Sequence, residues 1–569
     1  MKLKLISSIA AAITIAGVAP AMAATSEKAQ VVGLGPWTTT PVFTIGETID
    51  GYTPPGIPDG MGAFEREKTV EIVSNHELRA AQGYPYTLAN GTELTGARVS
   101  KLVFDKKSRE LKTMGPAYDT IYNRAGEIVD EPADLEFNGL NRLCSAGSFT
   151  KGQAGFVDDV FLTGEETGGG TEFALDVANG ELWAAPWMGR AAWESVAALE
   201  DRRLNRTHVA IVVGDDRGGA PLLLYLGKKQ LKGNFLERNG LANGKLYMWV
   251  ADNGDTTPTE WNGYNGTGMS RSGAFLEVTN YDASMAGKPG FDDLGFADQD
   301  TLDAQQLAIG AFRFSRPEDV HTNPAKGKQV VLASTGRSSL FPEDSWGTTY
   351  VIDFKINPGR IRNDNIEAEI TILYDGDAAN NPDLGIRSPD NLVWADDGFI
   401  YIQEDRSIGG FGNNGGGETS IWQLDPESGK AGVVGRVDRL AVPTLQVDTD
   451  PADVGDWETS GIIDVTDEFN ADGERLLFFN VQAHSLRGDT IDTEGLEQGG
   501  QFAFLSKPEA DIDDDDEDDK DDDYSSRSLS DLGTIYCAGG RAAQISLIFR
   551  CVGPLCASKS WSFVLALPP

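Results

Sequence analysis

The sequence predicts an all-β protein, a β-propeller with inserted loops and short helices, and three observations carry that prediction. First, strand-length runs rich in β-branched and aromatic residues recur along the body, at 70–73, 97–104, 208–213, 245–250, 329–334, 348–354, 399–403, 419–424 and 475–481. Second, those runs are bounded by glycine and aspartate turns, and few segments show helical periodicity. Third, a turn-then-strand phrase repeats: Asp397-Gly398-Phe-Ile-Tyr-Ile, Asp472-Gly473-Glu-Arg-Leu-Leu and the variant Asn243-Gly244-Lys-Leu-Tyr-Met, with Leu424-Asp-Pro-Glu-Ser-Gly429 as the turn that follows a strand. Degenerate repeats of this kind mark propeller blades. An elongated β-sandwich is the alternative that the same pattern leaves open.

Residues 1–23 read as a secretory signal: Lys2 and Lys4, an apolar stretch from Leu5 to Val18, then Ala21-Met-Ala23. Export follows, to the periplasm or beyond, with no stable membrane anchor, since the apolar stretch is short and no other is long enough to span a bilayer. Residues 24–508 read as one large unit whose core needs no disulfide staples. Residues 509–523 form an acidic linker, solvated and disordered in expectation. Residues 524–569 carry Cys537, Cys551 and Cys556 and no readable pattern.

The formal charge of −39 comes from 87 acidic against 48 basic residues. Such a surface repels nucleic-acid phosphates and anionic membrane, so neither is an expected partner, and an anionic substrate would need bound metal to be attracted. Four histidines are too few for a zinc centre built from several of them. There is no Gly-x-Ser-x-Gly elbow, Walker P-loop or dinucleotide-binding glycine motif directly after a strand, which removes serine hydrolase and nucleotide-binding readings.

The chemistry-bearing residues come in strand-end clusters. Cys144 is the lone cysteine of the first 536 residues, and Leu162-Thr-Gly-Glu165-Glu166 follows it with a carboxylate pair. The thiol is either buried packing or a soft ligand beside hard oxygens. The pair is either solvated surface or a cation site, since adjacent carboxylates repel unless water or a cation intervenes. Asn75-His76-Glu77 closes a strand; Trp187-Met-Gly-Arg-Ala-Ala-Trp-Glu194 reads as a short helical turn bearing an acid; Gly214-Asp215-Asp216-Arg217 repeats the double acid. In Arg316-Pro-Glu318 and Ser388-Pro-Asp390-Asn391 a proline fixes the backbone just before an acid, which suits calcium as well as an ordinary turn. Asp405, Glu458, Gln482 and His484 add polar groups at element ends.

Taken in order, Asn75-His-Glu77, Cys144 with Glu165-Glu166, Gly214-Asp-Asp216, Arg316-Pro-Glu318, Ser388-Pro-Asp390-Asn391 and Glu458-Thr-Ser-Gly461 with Gln482-Ala-His484 resemble the secreted PhoX-type alkaline phosphatases, over most of residues 30–505. The leader differs from the family's frequent twin-arginine signal, and the stretch before Glu194 lacks the usual histidine. The resemblance implies a six-bladed propeller whose mouth holds a cluster of Ca2+ and Fe3+ and hydrolyses phosphate monoesters. It further implies Cys144 as an iron ligand and Glu165, Glu194, Asp216, Glu318, Asp390 and Glu458 as metal carboxylates. Glu166, Asp215, Asn391 and His484 complete the expected set, with Cys144, Glu194 and Asp216 in the catalytic role. The expectation is an exported, monomeric phosphomonoesterase acting on small phosphate esters. Its rivals are a calcium-stabilised binding propeller without catalysis, and a metal-dependent hydrolase of phosphodiesters or lactones.

Overall fold

A computed structural model describes residues 25–260, 266–356 and 366–508; the expected signal, acidic linker and C-terminal segment lie outside the described residues. The described residues form six four-stranded antiparallel blades in sequence order, each with its first strand innermost. Blade 1 is Pro58–Glu65, Thr69–His76, Arg98–Asp105 and Leu111–Pro116. Blade 2 is Leu143–Phe149, Val160–Gly170, Glu172–Asp176 and Glu181–Ala184, with Thr120–Tyr122 added in parallel at its edge. Blade 3 is Ala191–Ala198, His208–Asp215, Leu223–Lys228 and Lys245–Ala251. Blade 4 is Pro317–Thr322, Gln329–Ser334, Thr348–Lys355 and Ile366–Asp375, and Ser270–Val278 joins the outer strands of blades 3 and 4.

The last two blades are completed by the N-terminal residues. Blade 5 is Pro389–Trp394, Ile400–Glu404, Ser420–Leu424 and Ala431–Val437, and Val31–Gly33 adds a fifth strand. Blade 6 is Trp457–Asp464, Glu474–Ala483 and Gly499–Pro508, with Thr38–Thr44 as its outermost strand. Two early strands, Val31–Gly33 and Thr38–Thr44, thus pair with strands of the last two blades. Those main-chain hydrogen bonds latch the ring without a covalent staple.

Ring closure is also visible in the core. Six apolar clusters occupy the six blade-to-blade interfaces, including the closing one, where Phe43, Phe478, Phe502 and Phe504 of blade 6 meet Ile72, Leu102 and Phe104 of blade 1. A blade buried on both faces needs apolar residues on both, which is why the middle strands read as continuous hydrophobic runs. The inner strands touch one another in the order of the blades and back to the start. The all-β propeller expected from the sequence is therefore borne out, with few helices, of which Gln299–Ile309 is the longest described.

Every run recognised as a strand from the sequence is a second, third or fourth strand of a blade; none is an inner one. The reason is physical. Inner strands such as Pro58-Asp-Gly-Met-Gly-Ala-Phe-Glu65 and Pro317-Glu-Asp-Val-His-Thr322 face the polar axis, so they hold proline, glycine and acids in place of apolar alternation. The stretch before Glu194 needs a related correction: only Pro186–Met188 is a helical turn, and Glu194 itself lies on the inner strand of blade 3.

Candidate metal centre

Each inner strand is bulged, and the bulges coincide with the chemistry. The register with the second strand slips between Pro58 and Met61, Leu143 and Ala146, Trp193 and Val196, Pro317 and Val320, Pro389 and Leu392, and Ser460 and Ile462. In five of the six blades the first residue inside the slip is Asp59, Cys144, Glu194, Glu318 or Asp390. A bulge re-aims side chains and ends regular pairing, so equivalent positions of five blades all turn a ligand-type group into the buried mouth. Blade 6 supplies Glu458 three residues before its slip at Gly461. The close approach of strands at this end needs small residues: a Cβ on Gly60 would strike the Ser145 and Ala146 backbone, and one on Gly214 would fall on the Glu318 carbonyl.

Three groups of side chains come close enough to share a cation, and they form an unbroken chain. Asp59, Glu77 and Cys144 make the first, Cys144, Glu166 and Glu194 the second, and Glu194, Asp216 and Glu318 the third; within each, ligand atoms lie within 4.8 Å of one another. Cys144 and Glu194 are the shared corners. Asp390 and Glu458 flank this chain, electrostatically linked to Asp59, to each other and to Asp405.

The local hydrogen bonds hold these groups in place. Cys144 Sγ donates to Asp59 Oδ2 at 3.2 Å, and Gln482 Nε2 donates to the same oxygen at 2.8 Å. Arg316 donates from Nε and Nη2 to the two Asp216 oxygens at 2.6 and 2.8 Å, and its Nη2 lies 3.0 Å from Glu318 Oε1. Thr335 Oγ1 donates to the same Glu318 oxygen at 2.6 Å. Glu194 Oε2 is buried with no protein partner.

So many acids in a dry mouth cannot all ionise unaided. Burial, then Glu77, pushes Asp59 up to about 7; burial, then neighbouring acids, drives Glu166, Glu194, Asp390 and Glu458 well above the usual carboxylate range. Burial and the Asp59 carboxylate raise the Cys144 thiol in the same way. Asp216 goes the other way: burial opposes its charge, but Arg316, together with hydrogen bonding to Glu318 and Glu166, outweighs it and holds the carboxyl below its ordinary range. A multivalent cation is the agent that would ionise the whole set, because it replaces the lost solvation of several carboxylates at once.

Of the residues expected from the sequence, Cys144, Glu166, Glu194, Asp216 and Glu318 lie in the three groups, and Asp390 and Glu458 beside them. Asn391 donates to Asp59 Oδ1 at 3.3 Å and accepts from Ser460 Oγ at 3.0 Å. His484 is hydrogen-bonded through Nε2 to Glu458 Oε2 at 3.2 Å. Glu165 and Asp215 sit elsewhere. Glu165 accepts from the Asn141 and Thr171 amides at 3.2 and 3.1 Å, and Asp215 forms a two-pronged pair with Arg217 at 2.9 and 2.7 Å. Successive side chains of a strand point to opposite faces, so one member of each double acid reaches the axis and the other does not. Asp59 was missed, although Pro58-Asp59 repeats the proline-then-acid phrase of Pro317-Glu318 and Pro389-Asp390. Glu77 closed a quoted motif without being placed in the ligand set, and Arg142 carried no signal at all.

The bulged inner strands and their shared acids can be set beside known proteins. Residues 177–423 match the family model described as alkaline phosphatase PhoX. The resemblance to the PhoX phosphatases holds. The solved structure of Pseudomonas fluorescens PhoX in complex with vanadate, a transition state analogue, superposes with a TM-score of 0.57 at 15% identity, covering 86% of this chain and 97% of that one. At that identity the superposition speaks for the fold. A Synechocystis apocarotenoid oxygenase mutant (TM-score 0.30, 11% identity, 77% of this chain and 87% of that one) and the WD40 domain of SCAP from fission yeast (0.29, 8%, 83% and 98%) are distant and bear on nothing in the site. No curated protein gives a significant match. The enzyme class read from the sequence, alkaline phosphatase, is the one the matched family names.

Proposed function

We propose that this PhoX-like chain is an exported, metal-dependent phosphomonoesterase of the alkaline phosphatase type, acting on small phosphate esters. The observation that carries the reading is the placement of Asp59, Cys144, Glu194, Glu318 and Asp390 at equivalent bulges of five blades, around one buried mouth.

The residues present fit a mixed metal cluster. Carboxylate oxygens in number suit calcium, and the thiol beside Glu166 and Glu194 suits a softer transition metal, for which iron is the proposal. The partnerless Glu194 Oε2 is a buried acceptor that such an ion would satisfy. Cys144, Glu166 and Glu194 would hold the transition metal, with Asp59, Glu77, Asp216, Glu318, Asp390 and Glu458 available to calcium. When bound, the metals supply positive charge to a phosphate entering an acidic mouth, and Lewis-acid polarisation of its oxygens.

Phosphoryl transfer asks for positioning and charge stabilisation more than for covalent chemistry by the protein, and the chain's residues are arranged for that. Gln482 fixes Asp59, Arg316 and Thr335 fix Asp216 and Glu318, and His484 fixes Glu458. The bulged strands hold these groups on rigid elements, which limits reorganisation during the reaction. Among the described residues no helix is long and apolar enough to cross a membrane; export rests on the leader read from the sequence.

Elemental analysis of the purified mature protein, paired with hydrolysis of a chromogenic phosphate monoester at alkaline pH with and without a calcium chelator, tests the reading. Bound calcium and iron with chelator-sensitive turnover are expected. A folded, metal-exposed protein that hydrolyses no monoester refutes it, and turnover of a phosphodiester or lactone in its place reassigns the activity.

A further inference from the structure

Two guanidiniums sit among the carboxylates of the mouth, and they are not equivalent. Arg316 bridges Asp216 and Glu318, both members of one three-residue group. Arg142 joins two different groups: its Nε donates to Glu77 Oε1 at 2.7 Å, and its Nη2 lies 2.7 Å from that oxygen and pairs also with Glu166 Oε2. Glu77 belongs with Asp59 and Cys144, Glu166 with Cys144 and Glu194. In the second of these groups Glu194 Oε2, buried and without a protein partner, already marks a place for a cation.

The backbone holds Arg142 where it is. Its φ of +50° lies in the left-handed region, which a non-glycine residue adopts only when its surroundings hold it there. Its amide donates to Leu78 O at 2.7 Å and its carbonyl accepts from Glu166 N at 2.8 Å, so the strand ends of blades 1 and 2 fix it from both sides. A guanidinium does not deprotonate in a protein. It therefore brings one permanent positive charge to the edge between Glu77 and Glu166.

We propose that Arg142 is a resident cation of the mouth: it occupies the Glu77–Glu166 edge that a divalent ion would otherwise bridge, so that this chain takes up one ion fewer than its carboxylates could hold. The inference rests on the reading of the mouth as a metal centre. Arg142→Met removes the charge while keeping much of the side chain's length, and Arg142→Lys keeps the charge.

The test is the number of calcium ions bound per chain, measured by elemental analysis after chelation and dialysis against saturating calcium, with circular dichroism to confirm folding. Arg142→Met is expected to bind one calcium more than the unmodified protein, and Arg142→Lys the same number as it. An unchanged or lower count in folded Arg142→Met overturns the proposal. Arg142→Gln, which retains N–H donors for one carboxylate, is read the same way if the Met variant fails to fold. Failure of both to fold even in calcium also overturns it, because an edge that calcium cannot fill is no cation site. The parent reading fails separately, on an unmodified protein that binds no divalent ion and hydrolyses no monoester.

Discussion

Replacing Cys144 by serine separates a packing residue from a ligand. The side chain is buried, 8% exposed, at the bulge of the blade 2 inner strand, and its one hydrogen bond is donated to Asp59 Oδ2 at 3.2 Å. A serine hydroxyl can make the same bond, and the exchange is nearly isosteric. The stability cost is therefore set by a slightly smaller atom and one more polar group already offered an acceptor, about 1 kcal/mol. In a body this large that shifts Tm by about 2 °C or less. The functional cost is of another order. Cys144 is the shared corner of two three-residue groups, so its loss removes the soft donor from both. A serine among these acids stays a neutral hydroxyl, whereas a thiol can ionise once a metal is present. Loss of at least about 100-fold in kcat/KM, about 2.7 kcal/mol of transition-state stabilisation, is expected. The assay is hydrolysis of a chromogenic monoester with calcium and iron supplied, alongside bound iron and the melting curve. Activity within about threefold of the unmodified protein and unchanged iron content would refute the assignment and leave Cys144 as packing.

Glu194→Gln removes a buried carboxyl whose ionisation is opposed by burial and by Glu318, so in chelator its Tm should equal or exceed that of the unmodified protein, while monoester hydrolysis falls at least about 100-fold. A lower Tm with intact turnover would contradict the ligand role. The metal-free protein should lose stability as pH rises. Buried acids such as Asp59 and Asp344, near 7, and Glu165, near 8, keep their protons in the folded state long after the unfolded chain has released them near 4. Their stabilisation is complete below about pH 4 and lost as pH climbs through about 7 to 8, so Tm in chelator should fall over that window and calcium should blunt the fall; a Tm that rises with pH in chelator would be inconsistent with these shifts. Gly214→Ala would place a methyl on the Glu318 carbonyl, costing about 2 kcal/mol or more and displacing Glu318. A calorimetric scan and the monoester assay should both register it, and an unperturbed variant would show that the two strands have room to part.

The sequence by itself determined the class of fold and most of the chemistry. Apolar strand runs such as 329–334 and 475–481 announced blades, because a strand buried on both faces must be hydrophobic throughout. Cys144, Glu318 and Asp390 stood out as a lone thiol and as acids directly after proline, while Glu194 and Glu458 entered through the family resemblance. What only the tertiary structure decided was geometry. The inner strands escaped detection, since facing a polar axis they lack alternation, and their bulges leave no mark on the sequence. Which member of Glu165-Glu166 and Asp215-Asp216 reaches the mouth depends on strand phase, and a shift of one residue reverses the answer. Asp59, Glu77 and Arg142 enter the centre because blade 1 packs against blade 2 on one side and, through ring closure, against blade 6 on the other, and because residues 31–33 and 38–44 return to latch blades 5 and 6. Contacts between residues so far apart along the chain follow from the closed ring, which no local stretch of sequence encodes.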